Sequence, residues 1–311
     1  MPERLLQLRK PLDLKSTLRV VRRGAGDPTW REVSHADSGR CAGSAIAKGW
    51  NTPAGPVAVE LRVLPGGSEL VATAWGAGAD WLLDRLPSLV GEDDDDGGFV
   101  VRHEALERLR RRFPGWRVVT TGLVLESLVP SIIEQRVTGA QAFGAYRRLV
   151  RRFGVPAPGP LGGHGLMVAP TAAGWAAIPS WAWLRAGVDG SRAATVMRAC
   201  RSPGRLEELA TTAGDAASTR LRSIPGVGRW TVAEVAHTAM GDADAVSFGD
   251  YHLARNVGWV VLGRPIDDEE LAQVLAPYAP HRYRVQRLVE LSGLHPPRRG
   301  PRMAIPAHLP R

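Results

Sequence analysis

The chain has 311 residues, 44% of them hydrophobic, with 40 Lys and Arg against 31 Asp and Glu, a net charge of +9 and a pI near 10.4. That length suits about two or three packed units, and the charge suits a polyanionic partner. No run approaches the ~18 consecutive apolar residues of a membrane span, and the N-terminal MPERLLQLRK is too charged for a signal peptide, so a cytoplasmic protein is expected. The two cysteines, Cys41 and Cys200, lie far apart with no neighbouring Cys at metal spacing, which argues against a cysteine-based metal centre. Lysine occurs only at 10, 15 and 48; every other basic side chain is arginine, so the later part of the chain cannot form a lysine Schiff base.

Residues 12 to about 90 read as β-rich. Val57, Val59, Leu61 and Val63 alternate with small or polar residues, Pro65-Gly66-Gly67 supplies a turn, and Leu70 to Trp75 runs back, which predicts a hairpin. Leu18 to Val21 reads as a further strand, and Ala79 to Leu89 as a short helix with Trp81, Leu82 and Leu86 on one face. This half reads as a packing module without chemistry. The acidic run Glu92 to Asp96, followed by Gly97-Gly98, reads as a solvated loop near a domain boundary. We place that boundary at 112, with a β-rich domain over 1–112, a helical region over 113–295 and a mobile Pro/Arg-rich tail over 296–311.

Helical patterns follow. Glu104 to Phe113 has an arginine-rich face, read as solvent-exposed, and Leu123 to Phe153 reads as two helices meeting near Thr138-Gly139. Pro156 to Gly165 is a loop; Trp175 to Leu184, Arg192 to Cys200 and Leu206 to Thr212 read as short helices. At 221–240, an apolar pattern is broken by Pro225-Gly226-Val227-Gly228 and resumes through Trp230, Ala233, Val235 and Ala236. That is a helical hairpin with a glycine tip. Gly226 and Gly228 leave backbone N–H groups uncovered at the positive end of the second helix, where an anion such as a DNA phosphate is favoured. Asp250 then opens another helical pattern, followed by Asp268 to Leu275 and Arg282 to Leu294.

The run I-P-G-V-G-R-W-T, with D-Y-H-L after the rest of that helix and a short loop, resembles the helix-hairpin-helix DNA glycosylases and, among them, the 3-methyladenine DNA glycosylase II branch. The resemblance implies an α+β chain: an antiparallel β-rich N-terminal domain, then a helical region of two lobes with the active cleft between them. It implies a monofunctional glycosylase of base excision repair that extrudes an alkylated purine from double-stranded DNA and hydrolyses its N-glycosidic bond. Asp250 matches the catalytic aspartate that stabilises positive charge on the deoxyribose and orients water. Trp230 stands where bifunctional members have lysine, and tryptophan cannot attack C1′.

Trp230, with Glu234 one turn later, is the expected base pocket, joined by Tyr278 and His281. Gly226, Gly228 and Arg229 are expected on a phosphate, and the segment Glu126 to Thr138 places Gln135 or Arg136 in the gap the base leaves. Hairpins of this family hold a monovalent cation on main-chain carbonyls, here Arg222, Ile224 and Val227. The cysteine pattern argues against the iron-sulfur cluster of some relatives, and no membrane or obligate protein partner is expected. Two other readings fit the same residues: a glycosylase for an oxidised, deaminated or bulky adduct base, and a noncatalytic DNA-binding or damage-sensing protein.

Overall fold

The computed structural model describes residues 2–33, 45–212 and 214–297; Cys41 and the tail beyond 297 lie outside them. Among the described residues the N-terminal half forms a five-stranded antiparallel sheet in the order β1 (Glu3–Gln7), β5 (Glu69–Trp75), β4 (Gly55–Val63), β3 (Ala45–Thr52), β2 (Trp30–Val33). The expected hairpin is β4–β5, with Val59 opposite Ala74 and Val63 opposite Leu70. Val57, Val59, Leu61 and Val63 are all buried, each contributing ~1.5–3 kcal/mol by leaving water. Residues Leu18 to Val21 are not a strand. Asp13 accepts the Ser16 N–H at 3.0 Å and starts helix α1 (Leu14–Leu18), continued by a 3₁₀ turn over Arg19–Val21. Leu14 and Leu18, a helical turn apart, are buried under the sheet, and that spacing outweighs the β-branched pair Val20-Val21. The helix expected over Ala79–Leu89 is two, α2 (Ala79–Asp84) and α3 (Leu86–Leu89), because Pro87 sits in the first turn of the second.

The acidic run is not a solvated loop. Glu92 is buried and receives Arg9 and Arg117, Asp94 pairs with Arg284 at 2.5 Å, and Asp96 meets Lys10 at 3.1 Å. Alternate carboxylates thereby clamp the N-terminal segment to a C-terminal helix while Asp93 and Asp95 between them stay exposed, which a charge count along the sequence does not reveal.

The helical region runs α4 (Glu104–Arg112), α5 (Val124–Glu134), α6 (Gly139–Phe153), α7 (Pro160–Gly163), α8 (Ala172–Ala176), α9 (Ser180–Ala186), α10 (Gly190–Ala199), α11 (Pro203–Glu207), α12 (Gly214–Arg222), α13 (Arg229–Ala239), α14 (Leu253–Leu262), α15 (Asp268–Leu275) and α16 (Arg282–Ser292). The break between α5 and α6 falls as expected, with Thr138 and Gln141 forming a reciprocal cap. Pro179 divides the predicted Trp175–Leu184 helix into α8 and α9. The first turn of α5 has no cap of its own; the Glu207 carboxylate supplies it from α11, accepting Val124 N–H at 2.8 Å and Leu125 N–H at 3.0 Å.

Three large cores and one small one result among the described residues. One lies between the sheet and α1–α3, one joins α5, α6 and α8–α13, one joins α4 to α14–α16, and the small one packs Ala47 and Ala58 of the sheet against Ala157, Leu161, Leu166 and Val168. Because Phe99, Leu106 and Leu109 belong to the third core, the cores do not divide at 112: the chain crosses into the last helical lobe near 99 and leaves it before Val119, which packs with the sheet.

Candidate active site

Two lobes meet at α13, whose flank carries Trp230, Glu234 and His237 at helical spacing. These side chains line a cleft of about 660 Å³ together with Glu134 at the end of α5, Asp250, and Arg287 and Glu290 of α16. The facing wall is not helical-lobe surface. It includes Lys15, Arg19, Arg22, Arg23, Trp30 and Glu32 from the N-terminal half, so this half borders the cleft as well as packing against the helices. The β-branched pair Val20-Val21 hides this stretch by suggesting a strand; the arginine cluster at 19, 22 and 23 is the signal in the sequence. Lys15 borders the cleft among the described lysines and is paired with Glu32 at 2.9 Å.

Asp250 closes the polar loop before α14, where its Oδ1 accepts the His252 N–H at 2.8 Å and the Leu253 N–H at 2.9 Å. Both donors belong to a helix N-terminus and hold Oδ1 in place, while Oδ2 has no hydrogen-bond partner among the described residues. Next to it Tyr251 is 76% exposed.

The carboxyls of the cleft are held differently. Glu134 pairs with Arg23 at 3.2 Å, Glu290 with Arg287 at 3.0 Å, and Glu32 with Lys15 and Arg22. Glu234 is enclosed, accepts the Ser247 hydroxyl on Oε1 at 2.6 Å, and has its Oε2 3.7 Å from His237 Nε2. Burial, with the nearby Glu290 and Glu134 charges, pushes its carboxyl up to about 8. Burial pushes His237, stacked on Tyr283, down to about 3, so its imidazole is neutral. Buried donors without a protein partner among the described residues gather here too: Trp30 Nε1, Trp230 Nε1, and Arg287 Nε and Nη2. Each costs stability in the free protein, a pattern typical of functional surfaces.

The hairpin has the expected form. Gly226 adopts φ +98°, and a Cβ there would collide with Thr195, so glycine is required. Gly228 has open space above it and caps α13 with no side-chain bond, which leaves first-turn N–H groups free. Arg229 is turned to Asp268 at 2.6 Å on the outer surface. Gln135 bridges α5 to the hairpin, donating to Gly226 O at 3.0 Å and Thr231 Oγ1 at 2.8 Å. Arg136 is exposed with φ +57°, a left-handed conformation that costs a non-glycine residue about 1 kcal/mol or more and recurs at functional positions. Of the two gap-filling candidates, Gln135 is thus engaged by the hairpin, and Arg136 is exposed with no hydrogen bond or ion pair among the described residues. The Ile224 carbonyl accepts the Val227 N–H at 3.0 Å, closing the turn that brings the Arg222, Ile224 and Val227 carbonyls into one short segment.

Tyr278 and His281 are not in this cleft. Tyr278 is buried in the third core, with its hydroxyl 2.5 Å from His103 Nδ1, and His281 sits beside Phe99 and accepts from Arg284 Nε at 3.1 Å. Their aromatic character serves packing between α4 and α16, and sequence position alone cannot show which side of the helix faces the cleft. Among the described residues there is no cluster of three or more His, Cys, Asp or Glu able to hold a metal, and no helix is long and apolar enough to cross a membrane.

No protein-family model matches the chain, and no curated protein sequence does. Solved structures do. A 3-methyladenine DNA glycosylase from Archaeoglobus fulgidus superposes with TM-score 0.74 at 18% identity over 93% of this chain and 98% of its own. MBOgg1 in complex with a low-affinity DNA ligand gives 0.71 at 16% identity over 94% and 97%. The apo 8-oxoguanine glycosylase/lyase of Clostridium acetobutylicum gives 0.68 at 12% identity over 93% and 96%. From the sheet to α16, the chain therefore has the fold of the helix-hairpin-helix DNA glycosylases.

Proposed function

We propose that the protein is a monofunctional DNA glycosylase of base excision repair that removes alkylated purines from double-stranded DNA. The observation that supports this most is the opening of Asp250 and Trp230 onto one cleft directly beside the uncapped hairpin helix. Free N–H groups at Gly228 and the following turn hold a backbone phosphate, Arg136 enters the gap in the duplex, and the extruded base lies against the Trp230 ring. The Asp250 carboxylate faces the deoxyribose, stabilises the cation that forms as the C1′–N bond opens, and orients water for attack at C1′. An alkylated purine already carries positive charge, so its bond breaks with little protonation. A monovalent cation on the Arg222, Ile224 and Val227 carbonyls would brace the hairpin against the phosphate. Trp230 occupies the position from which a lysine would attack C1′, which makes water the nucleophile.

The test is release of base from N-methylated duplex DNA, followed by mass, with strand cleavage and borohydride trapping scored on the same samples. Release of 3-methyladenine or 7-methylguanine without cleavage or a trapped adduct is expected. A trapped adduct lost in Lys15→Ala would overturn the monofunctional assignment. Normal DNA binding without release of any base would overturn the enzymatic one.

A further inference from the structure

The carboxyls lining the cleft fall into three kinds. Glu32, Glu134 and Glu290 each face a Lys or Arg, and Asp250 receives two backbone N–H groups. Glu234 has neither among the described residues: its one hydrogen-bond donor is the Ser247 hydroxyl, itself fixed by Gln286 Nε2 at 3.1 Å. With Oε1 taken by Ser247, Oε2 is the oxygen left to hold a proton, beside a neutral His237 whose Nδ1 lies 3.4 Å from Ala245 O. The groups around it from each packed element are His237 on α13, Glu134 on α5, Arg287 and Glu290 on α16, and Arg23 from the N-terminal wall. Arg23 and Arg287 each pair with another carboxylate, Glu134 and Glu290, and burial together with those two neighbouring charges disfavours a negative charge on Glu234. Glu234 lies one turn beyond Trp230 on the same face, about 5–6 Å along the helix, and both side chains line the cleft.

We infer that Glu234 is the general acid of this site, and that its Oε2 proton assists the departure of a base that is not already cationic. The inference rests on the glycosylase reading above. In the step, the Glu234 Oε2–H bond breaks and its proton goes to a ring nitrogen of the base. The C1′–N bond breaks with its electron pair leaving on the base, and a water oxygen bonds to C1′. That water gives one proton to Asp250, from which solvent returns it to Glu234, so the sum is hydrolysis with no other reactant. An uncharged base needs this proton because it would otherwise leave as an anion; a cationic base already leaves neutral.

The experiment compares single-turnover release from two duplexes, one with hypoxanthine and one with 7-methylguanine, by wild type, Glu234→Gln and Ser247→Ala. We expect Glu234→Gln to slow hypoxanthine release about 100-fold or more, and to lower the hypoxanthine to 7-methylguanine rate ratio at least about tenfold. In the wild type, an acid that must be protonated makes hypoxanthine release fall as pH rises through about 8. The Ser247 hydroxyl favours the ionised carboxyl, so Ser247→Ala moves that descending limb to higher pH. Wild-type release of 7-methylguanine without hypoxanthine, an unchanged ratio in Glu234→Gln, or a hypoxanthine profile with no limb near 8 would overturn the general acid and leave the glycosylase standing. No release from either duplex would instead overturn the glycosylase reading itself. Should Glu234→Gln fail to fold, the wild-type profile and the Ser247→Ala shift decide alone.

Discussion

The two walls of the cleft are built on opposite electrostatic plans. The helical wall, made by the end of α5, α13, Asp250 and α16, presents Glu134, Glu234, Asp250 and Glu290 with one cation, Arg287; the N-terminal wall presents Lys15, Arg19, Arg22 and Arg23 with one carboxylate, Glu32. A strand of DNA passing between them meets cations suited to its phosphates on one side. On the other it meets, at the deoxyribose, carboxyls suited to the positive charge that bond cleavage creates. Neither wall alone makes a glycosylase site, and the ion pair between Arg23 and Glu134 at 3.2 Å joins the two at the back.

The largest effect is expected where the carboxyl wall does its chemistry. Asp250→Asn keeps an oxygen to accept the His252 and Leu253 N–H groups, so α14 still starts correctly. It removes the negative charge, and base release should fall about 10³-fold while duplex affinity stays within about threefold of wild type. Equal rates for the two proteins would mean that the carboxyl wall is structural.

The hairpin supplies a sharper pair of substitutions. Gly226→Ala places a Cβ against Thr195 on a backbone at φ +98°, and should cost about 1–3 kcal/mol of stability by thermal or denaturant unfolding. Gly228→Ala meets no atom within 4 Å and should unfold within about 0.5 kcal/mol of wild type, yet bind duplex DNA more weakly because the methyl group stands in the open space a phosphate would occupy. If both variants lose stability and neither loses selective affinity, the phosphate grip is elsewhere.

On the cationic wall the double substitution Lys15→Ala with Arg19→Ala should weaken duplex binding about tenfold at moderate salt. It should also flatten the dependence of log affinity on log salt by up to ~2, with the loss seen in affinity rather than in the saturated rate. Glu32 keeps Arg22 as its partner in that variant, so the fold is retained. An unchanged salt slope would remove the N-terminal wall from the DNA path.

Legibility follows the same division. The helical wall was readable because its signals are local: a Pro-Gly turn between helical patterns, a tryptophan just after it, and an aspartate before the next helix. The cationic wall was not, since its arginines face a cleft defined by helices far along the chain, and because Val20-Val21 suggests a strand where Asp13 in fact caps a helix. The acidic run was misread for a related reason: whether Glu92 and Asp94 are solvated depends on Arg117 and Arg284, partners distant in sequence. Glu234 was placed in the pocket by its spacing from Trp230, but its protonation depends on enclosure and on two neighbouring carboxylates that only the folded chain assembles.

The smallest effect is expected at Tyr278, where similarity of pattern suggested a pocket and packing gives a different answer. Its hydroxyl lies 2.5 Å from His103 Nδ1 and also receives the Arg102 N–H at 3.3 Å, which ties the segment before α4 to the turn before α16. Tyr278→Phe keeps the ring against Phe99 and removes both bonds, leaving the partially buried His103 nitrogen and the Arg102 amide to find water. Stability should drop by about 1–2 kcal/mol, read as a lower denaturation midpoint at unchanged slope. Base release should match wild type on every duplex tested, since the side chain borders no part of the cleft. A selective loss on one lesion with stability intact would place Tyr278 back against the base, and would require the turn before α16 to move toward the cleft when DNA binds.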